Sequence, residues 1–367
     1  MQLLRMAHLN RLAYQRGSSA AGWSGRGGSA EGTSKQHETR SARESSLGTS
    51  TGPGTVFMDF DGTLTRDDTC AEFSVMGHPE PGPQRHGNQL LWSRLVREYD
   101  EARDAFMARH VPQGRASRFD PGCLKWFLKE SSAFERLMMD KVEESGVLEG
   151  ISLDQLEGHA AECGSSMQPG AAEFMHRLHR ARYGVVVCST NWSRRFILGI
   201  LAKGFHKVGR RPGEYVTVCS NELVMDPASQ RCVGRTDRAN VSADSKALRV
   251  RLHKMGEAGW SCYVGNAADD IAPMLQCNLG VFLGPMCAEL LRVVDAFGIQ
   301  VLPLEASALQ HGGVHSLLPP TQGTLYAAAD WPELSRALLH RDIEHTAEPE
   351  PEPTLRWVSI KKRGDLR

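Results

Sequence analysis

Thr55-Val56-Phe57-Met58-Asp59-Phe60-Asp61-Gly62-Thr63-Leu64-Thr65 is the stretch on which the fold turns. Its first half is apolar and ends abruptly in two acids. A short run of this kind predicts a buried parallel strand that delivers Asp59 and Asp61 at its carboxyl end. Gly62 permits the sharp turn that lets both acids point the same way. Two carboxylates so close repel, and one pKa rises unless a cation sits between them. A bound Mg²⁺ resolves that repulsion. One acid can then attack an electrophile while the other moves protons.

Outward from this stretch, the pattern alternates. Residues 67–168 are rich in helical signal, with one apolar stripe through Leu91, Trp92, Leu95, Val96 and Tyr99. Another runs through Leu124, Phe127, Leu128, Phe134, Leu137, Met138 and Val142. Trp92, Tyr99 and Trp126 are expected to fill the core of this segment. Residues 78–87, rich in Pro and Gly, read as a loop. Beyond Pro169 comes a helix, then the buried run Val185-Val186-Val187-Cys188 ending in Ser189-Thr190-Asn191. Residues 215–225 read as one strand, with residues 231–234 as its partner. Residues 244–255 read as a helix, Cys262-Tyr263-Val264 as a third buried strand ending in Gly265-Asn266, and residues 281–283 and 300–302 as further strands. A closing helix is expected at 331–339. Strands alternating with helices predict an α/β fold, a doubly wound parallel sheet with an inserted helical cap. In such sheets ligands bind beyond the carboxyl ends of the strands, where all three candidate motifs fall.

The 367 residues exceed one minimal domain, and the 41% apolar fraction supports a real core. Lys+Arg and Asp+Glu are equal at 43 each, so nothing marks a nucleic-acid or membrane-surface partner. No apolar stretch approaches the roughly 20 residues that span a bilayer. The nine cysteines are scattered with no CxxC pair, which speaks against a zinc site or a disulfide framework. His176 and His179, one helical turn apart, read as surface histidines, with a metal pair as the alternative. Residues 1–52 are rich in Arg, Ser and Gly, with no acid before Glu31. They read as a transit peptide for a mitochondrion or chloroplast, or else as a disordered tail of a cytoplasmic protein. The Glu/Pro-rich tail at 342–367 reads as a solvated low-complexity segment.

The run Asp59 to Thr65 resembles the first motif of the haloacid dehalogenase superfamily. That resemblance implies a Rossmann-like core at 53–66 and 169–341, a cap at 67–168, and an aspartyl-phosphate intermediate. Asp59 matches the nucleophile and a metal ligand. Asp61 matches the general acid/base, with its carbonyl on the metal, and Thr63 matches the residue that steadies the loop. Ser189 matches the second motif, where its hydroxyl and the amide after it, at Thr190, would bind phosphate. Lys246 matches the third-motif lysine, with Lys254 as the alternative. The fourth motif reads Gly265-Asn266-Ala267-Ala268-Asp269-Asp270. Asp270 matches its second acid and, with Asp59, Asp61 and Asn266, is expected among the metal ligands; Asn266 stands where the superfamily usually has a metal-binding Asp. An amide oxygen can ligate Mg²⁺ but carries no charge, so metal affinity is expected to fall, and Asp269 could partly substitute.

Asp68-Thr69-Cys70, residues 144–150, Ser189-Thr190-Asn191-Trp192-Ser193 and Gly323-Thr324-Leu325-Tyr326 with Trp331 narrow the likeness. They resemble the phosphatase half of the plant thiamine monophosphate phosphatases. The implied function is Mg²⁺-dependent hydrolysis of a small phosphorylated metabolite such as thiamine monophosphate. Trp192 is the candidate aromatic facing the thiazolium cation. Two alternatives stand: a non-catalytic phosphate-ligand binder with a weakened metal site, and a phosphomutase or other small-metabolite phosphatase. The sequence does not reveal the oligomeric state.

Overall fold

The computed structural model describes residues 54–76, 83–206, 213, 215–256 and 259–339. The N-terminal segment read as a transit peptide and the acidic tail lie outside them. So do residues 78–82 of the expected loop at 78–87. Helix α1 (Pro83–His110) already begins within that stretch.

Seven parallel strands form the main sheet, in the order β4-β3-β1-β7-β8-β10-β9. They are β1 (Gly54–Met58), β3 (Gly184–Cys188), β4 (Val216–Cys219), β7 (Trp260–Gly265), β8 (Leu279–Leu283), β9 (Gln300–Pro303) and β10 (Thr324–Ala328). Every residue of β1 is buried, as its apolar run predicts. The chain leaves β1 toward β3 and β4, then returns to β7 and continues outward on the other side. The winding therefore reverses at β1, and Asp59 follows that interior strand directly. A smaller antiparallel sheet, β2-β6-β5, joins β2 (Glu149–Ser152), β5 (Leu223–Met225) and β6 (Arg231–Thr236).

The sequence reading differs from the structure in several places. Residues 215–225 are two strands rather than one: β4 extends the main sheet, while β5 turns away to pair with β6. The intervening Ser220 and Asn221 are polar and buried, which marks the break. The segment 67–168 is mainly helical but also supplies β2 to the small sheet. Trp126 is half exposed, whereas Trp92 and Tyr99 are buried as expected.

Capping explains where the inserted helices start. In α2 (Pro121–Glu144), Asp120 accepts from the backbone N–H groups of Gly122 and Cys123, and Pro121 occupies the first helical position. Before α3 (Leu153–Cys163), Ser152 and Gln155 exchange hydrogen bonds in a capping box. Further along are α4 (Ala171–Arg180), α5 (Arg194–Phe205), α6 (Ala243–Gly256), α7 (Ala288–Ala296), α8 (Leu304–His311) and α9 (Trp331–Leu339). Phe106 and Phe127 of α1 and α2 share one buried cluster with Phe57, Tyr263 and Phe297, so the inserted helices pack directly on the sheet layer. At the base of the insertion, Thr65 bridges Met167, and Gln168 donates to the carbonyls of Gly62 and Thr65.

Candidate active site

Asp59 leaves β1 with its amide still bonded to the carbonyl of Val264 in β7, at 2.9 Å. Gly62 then takes φ +68°, a conformation open to glycine at little cost. The turn is fastened by Thr65, whose hydroxyl accepts from the Gly62 amide and lies 2.7 Å from the Asp67 carbonyl. The hydroxyl of Thr63 is instead buried with no hydrogen-bond partner. The loop-steadying hydroxyl is thus two residues later than the resemblance implied.

Lys246, on α6, reaches the end of β1. Its Nζ lies 2.9 Å from Asp59 Oδ1, 2.9 Å from Asp269 Oδ2 and 2.8 Å from Asp270 Oδ1. The lysine is buried, and burial alone would drive off its proton. The three carboxylates outweigh that and hold its pKa well above the usual value. One cation does not balance three acids, however. Burial first, then the Asp270 charge, pushes the Asp59 carboxyl up to about 8 despite the opposing pull of Lys246.

Asp270 is fully enclosed. Its Oδ1 accepts from Lys246 and, at 3.1 Å, from the Tyr263 hydroxyl. Its Oδ2 accepts from the amides of Asn266 and Ala267, at 3.0 and 3.1 Å. Gly265 makes room for this carboxylate, since a Cβ there would lie 2.4 Å from it. With two donors on each oxygen, Asp270 is positioned to orient Lys246 and the fourth-motif turn.

Asn266 donates its side-chain N–H to the carbonyl of Gly62. Its Oδ1 is buried without a hydrogen-bond partner. An orphaned amide oxygen beside a surplus of carboxylates is a donor set suited to a hard divalent cation. The Asp59 carboxylate and the Asn266 amide oxygen therefore fit Mg²⁺.

Asp61 is held from the other side. Its Oδ1 accepts from the amide and hydroxyl of Thr69, at 2.8 and 2.7 Å, and its Oδ2 from Asn191 Nδ2 at 3.0 Å. Asn191 thus ties the second-motif loop to the first. Ser189, at the end of β3, accepts from the Asn191 amide, and the Thr190 carbonyl accepts from Asn221. Asn240 donates to the Ser189 carbonyl at 2.8 Å. The sequence reading quoted Thr69 and Asn191 without a role and missed Asn221 and Asn240 altogether. Buried asparagines just past strand ends were the available signal.

Trp192 is buried edge-on between Phe73 and Trp92. It also lines a small cavity of about 30 Å³ with Thr190, Tyr99, Glu135 and Met138. His179 stacks on Tyr215, with ring centroids 4.4 Å apart.

No family model matches the chain. It is 24% identical, over 308 residues, to the mitochondrial bifunctional TH2 protein of Arabidopsis thaliana, covering 76% of this chain and 48% of that protein. The chain thus spans about half the length of the curated relative it matches. Among solved structures it is similar to a phospho-aspartyl intermediate analogue of phosphoserine phosphatase, at 15% identity and TM-score 0.40, over 66% of this chain and 91% of that one. It is also similar to a phosphoserine phosphohydrolase-like protein from Francisella tularensis, at 11% identity and TM-score 0.45, covering 77% and 98%. A third is cytosolic 5'-nucleotidase IIIB bound to cytidine, at 10% and 0.42, covering 81% and 88%. Its own sheet order, the acids past β1 and β7, and the lysine that joins them make a Rossmann-like α/β fold with a buried acid–lysine cluster, in a chain similar in sequence to the bifunctional TH2 protein.

Proposed function

We propose that the chain is a Mg²⁺-dependent phosphomonoester hydrolase that works through a phosphorylated Asp59. The observation that carries this reading is Lys246. From 187 residues along the chain it contacts the first-motif acid, and it bonds both fourth-motif acids as well. Lys246 holds Asp59 Oδ1, so attack on phosphorus falls to Oδ2. The P–O ester bond breaks as the new bond forms, and Asp61 gives a proton to the departing alkoxide. Asp61 then takes a proton from water, which attacks the same phosphorus, and inorganic phosphate leaves with Asp59 restored. Ser189 and the Thr190 amide cradle the phosphoryl oxygens, and Lys246 offsets their growing charge. Bound Mg²⁺ would supply charge neutralisation between the phosphoryl group and the acids. Asp59, the Asp61 carbonyl and Asn266 would be its donors, while Asp270 positions Lys246. The core at 53–66 and 169–341 carries these groups, and the cap at 67–168 reads the leaving group.

Thiamine monophosphate is the substrate this reading favours. A flat organic cation suits the aromatic faces of Trp192 and Tyr99 beside the Glu135 carboxylate. The cavity they line is too small for it as it stands, so the cap helices must lift to admit a substrate. The relative's mitochondrial label and the Arg-rich N-terminus favour delivery to an organelle. A fluorescent fusion of residues 1–52 tests that point.

Purified protein with Mg²⁺ is expected to release phosphate from thiamine monophosphate, and Asp59→Asn to stop it. Silence across a broad phosphomonoester panel, even at high Mg²⁺, would leave the second reading, a phosphate-ligand binder, which the uncharged Asn266 favours.

A further inference from the structure

A second cluster of metal-ligating side chains lies within the inserted segment, at Glu72, His159 and Cys163. His159 and Cys163 are four residues apart on α3, which puts both on one face of the helix. Glu72 approaches them from the single helical turn Cys70–Glu72. A histidine nitrogen, the cysteine Sγ and a Glu72 carboxylate oxygen all lie within 4.8 Å of one another. The imidazole is already oriented: Nε2 is 2.7 Å from Glu72 Oε2, and Nδ1 is 3.4 Å from Glu162 Oε2.

We propose that Glu72, His159 and Cys163 form a binding site for Zn²⁺, with Glu162 as the outer carboxylate that fixes the imidazole. The donor chemistry selects the ion. One nitrogen, one sulfur and one oxygen suit a borderline-soft cation and repel neither thiolate nor imidazole, whereas Mg²⁺ and Ca²⁺ take oxygen. Zinc bonds of roughly 2.0–2.3 Å set ligand atoms about 3–4 Å apart around a tetrahedron, so side-chain rotations of about 1 Å complete the site. Glu162 on Nδ1 reproduces the carboxylate–histidine–metal relay that sharpens ligand basicity. His159 is 23% exposed and the Glu72 side chain 41%, so an ion can enter and a water can fill the fourth position.

The site has a structural consequence. Glu72 follows Thr69 by three residues, and Thr69 donates twice to Asp61. A metal joining Glu72 to α3 braces the segment that fixes the acid/base residue. The inference stands whether or not the chain is a phosphatase.

Co²⁺ titration of the chelator-stripped full chain, in saturating Mg²⁺, tests it. One equivalent of Co²⁺ is expected to produce a thiolate-to-cobalt band and intense tetrahedral visible bands, both displaced by Zn²⁺. Cys163→Ser should remove the thiolate band, and His159→Ala should weaken Zn²⁺ binding at least tenfold by calorimetry, with circular dichroism unchanged. The double variant Cys123→Ser/Cys287→Ser, which removes the two exposed cysteines, should keep the band. Absence of the band in the parent chain, its survival in Cys163→Ser, or an unchanged Zn²⁺ affinity in His159→Ala overturns the proposal.

Discussion

Lys246 and Arg103 are both buried to about 1% exposure, and each faces more than one carboxylate, yet the two cations sit in opposite situations. Arg103 on α1 bonds Glu289 of α7 through Nη2 at 2.7 Å and Nε at 3.4 Å, and Nη1 reaches Ser131 at 3.2 Å. Its guanidinium also lies over Phe106 and Phe134, at 5.5 and 5.7 Å. Edges and faces are both used, and its acids, Glu289 and Glu135, keep some contact with water. Around Lys246 the acids Asp59 and Asp270 are nearly dry, three carboxylates surround one cation, and Asp59 is pushed up to about 8. The first cluster is closed and joins inserted helix to core. The second retains a surplus of negative charge. Such a surplus costs stability unless another cation arrives, which is what a metal-dependent site needs before its ligand binds.

The sharpest way to break the comparison is to remove a charge from the surplus cluster. Asp59→Asn should lower phosphate release by on the order of 10⁴-fold or more, as loss of a nucleophile does. The same change should leave the metal-free melting temperature equal or higher, because it relieves crowding. A clear loss of stability would show that Asp59 is a structural anion like Glu289.

Removing the cation of the closed cluster should act the other way. Arg103→Met leaves Glu289 and Glu135 without their partner and is expected to cost about 3 kcal/mol in denaturant unfolding. Because those glutamates reach solvent, the cost belongs at the lower end for a broken buried pair. Adding Glu289→Leu should recover part of it. A single-variant cost below about 1 kcal/mol would mean that the cap is not latched through Arg103.

The third test is pH. An acid whose folded pKa is raised binds its proton more tightly when folded than when unfolded. Its contribution therefore favours the fold at low pH and is lost as pH rises through the folded value. For Asp59 the window runs from its ordinary value of 3.8 to about 8. Metal-free protein should lose melting temperature across it, by on the order of 5 °C. Saturating Mg²⁺ should erase most of that slope, since a bound cation favours the carboxylate. Parallel slopes with and without Mg²⁺ would separate the metal from Asp59.

The same contrast shows why some of this was legible in sequence and some was not. The surplus cluster is built from local signals: an apolar strand ending in Asp59, and another ending before Asp269 and Asp270. Five buried residues in β1 and the interior place of that strand follow from such runs. The closed cluster carries no local signal. Arg103 and Glu289 are 186 residues apart, and each looks like a solvated helix residue until tertiary packing buries the pair. The split of residues 215–225 into β4 and β5 has the same origin, because pairing with β6 is a long-range choice. Strand β10 was also missed as a strand. Its Thr324-Leu325-Tyr326 is short and follows a glycine, and it becomes a strand by lying between β8 and β9.

The smallest effect concerns the residue that departs from the superfamily pattern. Asn266 has two roles in this geometry, and a substitution separates them. Its N–H supports the Gly62 carbonyl, while its Oδ1 faces no hydrogen-bond donor. Asn266→Asp keeps the oxygen, adds charge for a cation, and replaces the donor with a second acceptor against Gly62. Without metal the variant should therefore be less stable by about 1 kcal/mol, the worth of a hydrogen bond. With metal, half-saturation should move to roughly tenfold lower Mg²⁺, a gain of about 1.4 kcal/mol. Calorimetric Mg²⁺ titration and metal-free melting read the two signs independently of turnover. If stability falls while the Mg²⁺ titration stays put, position 266 supports the turn and the metal is held by the carboxylates around Lys246.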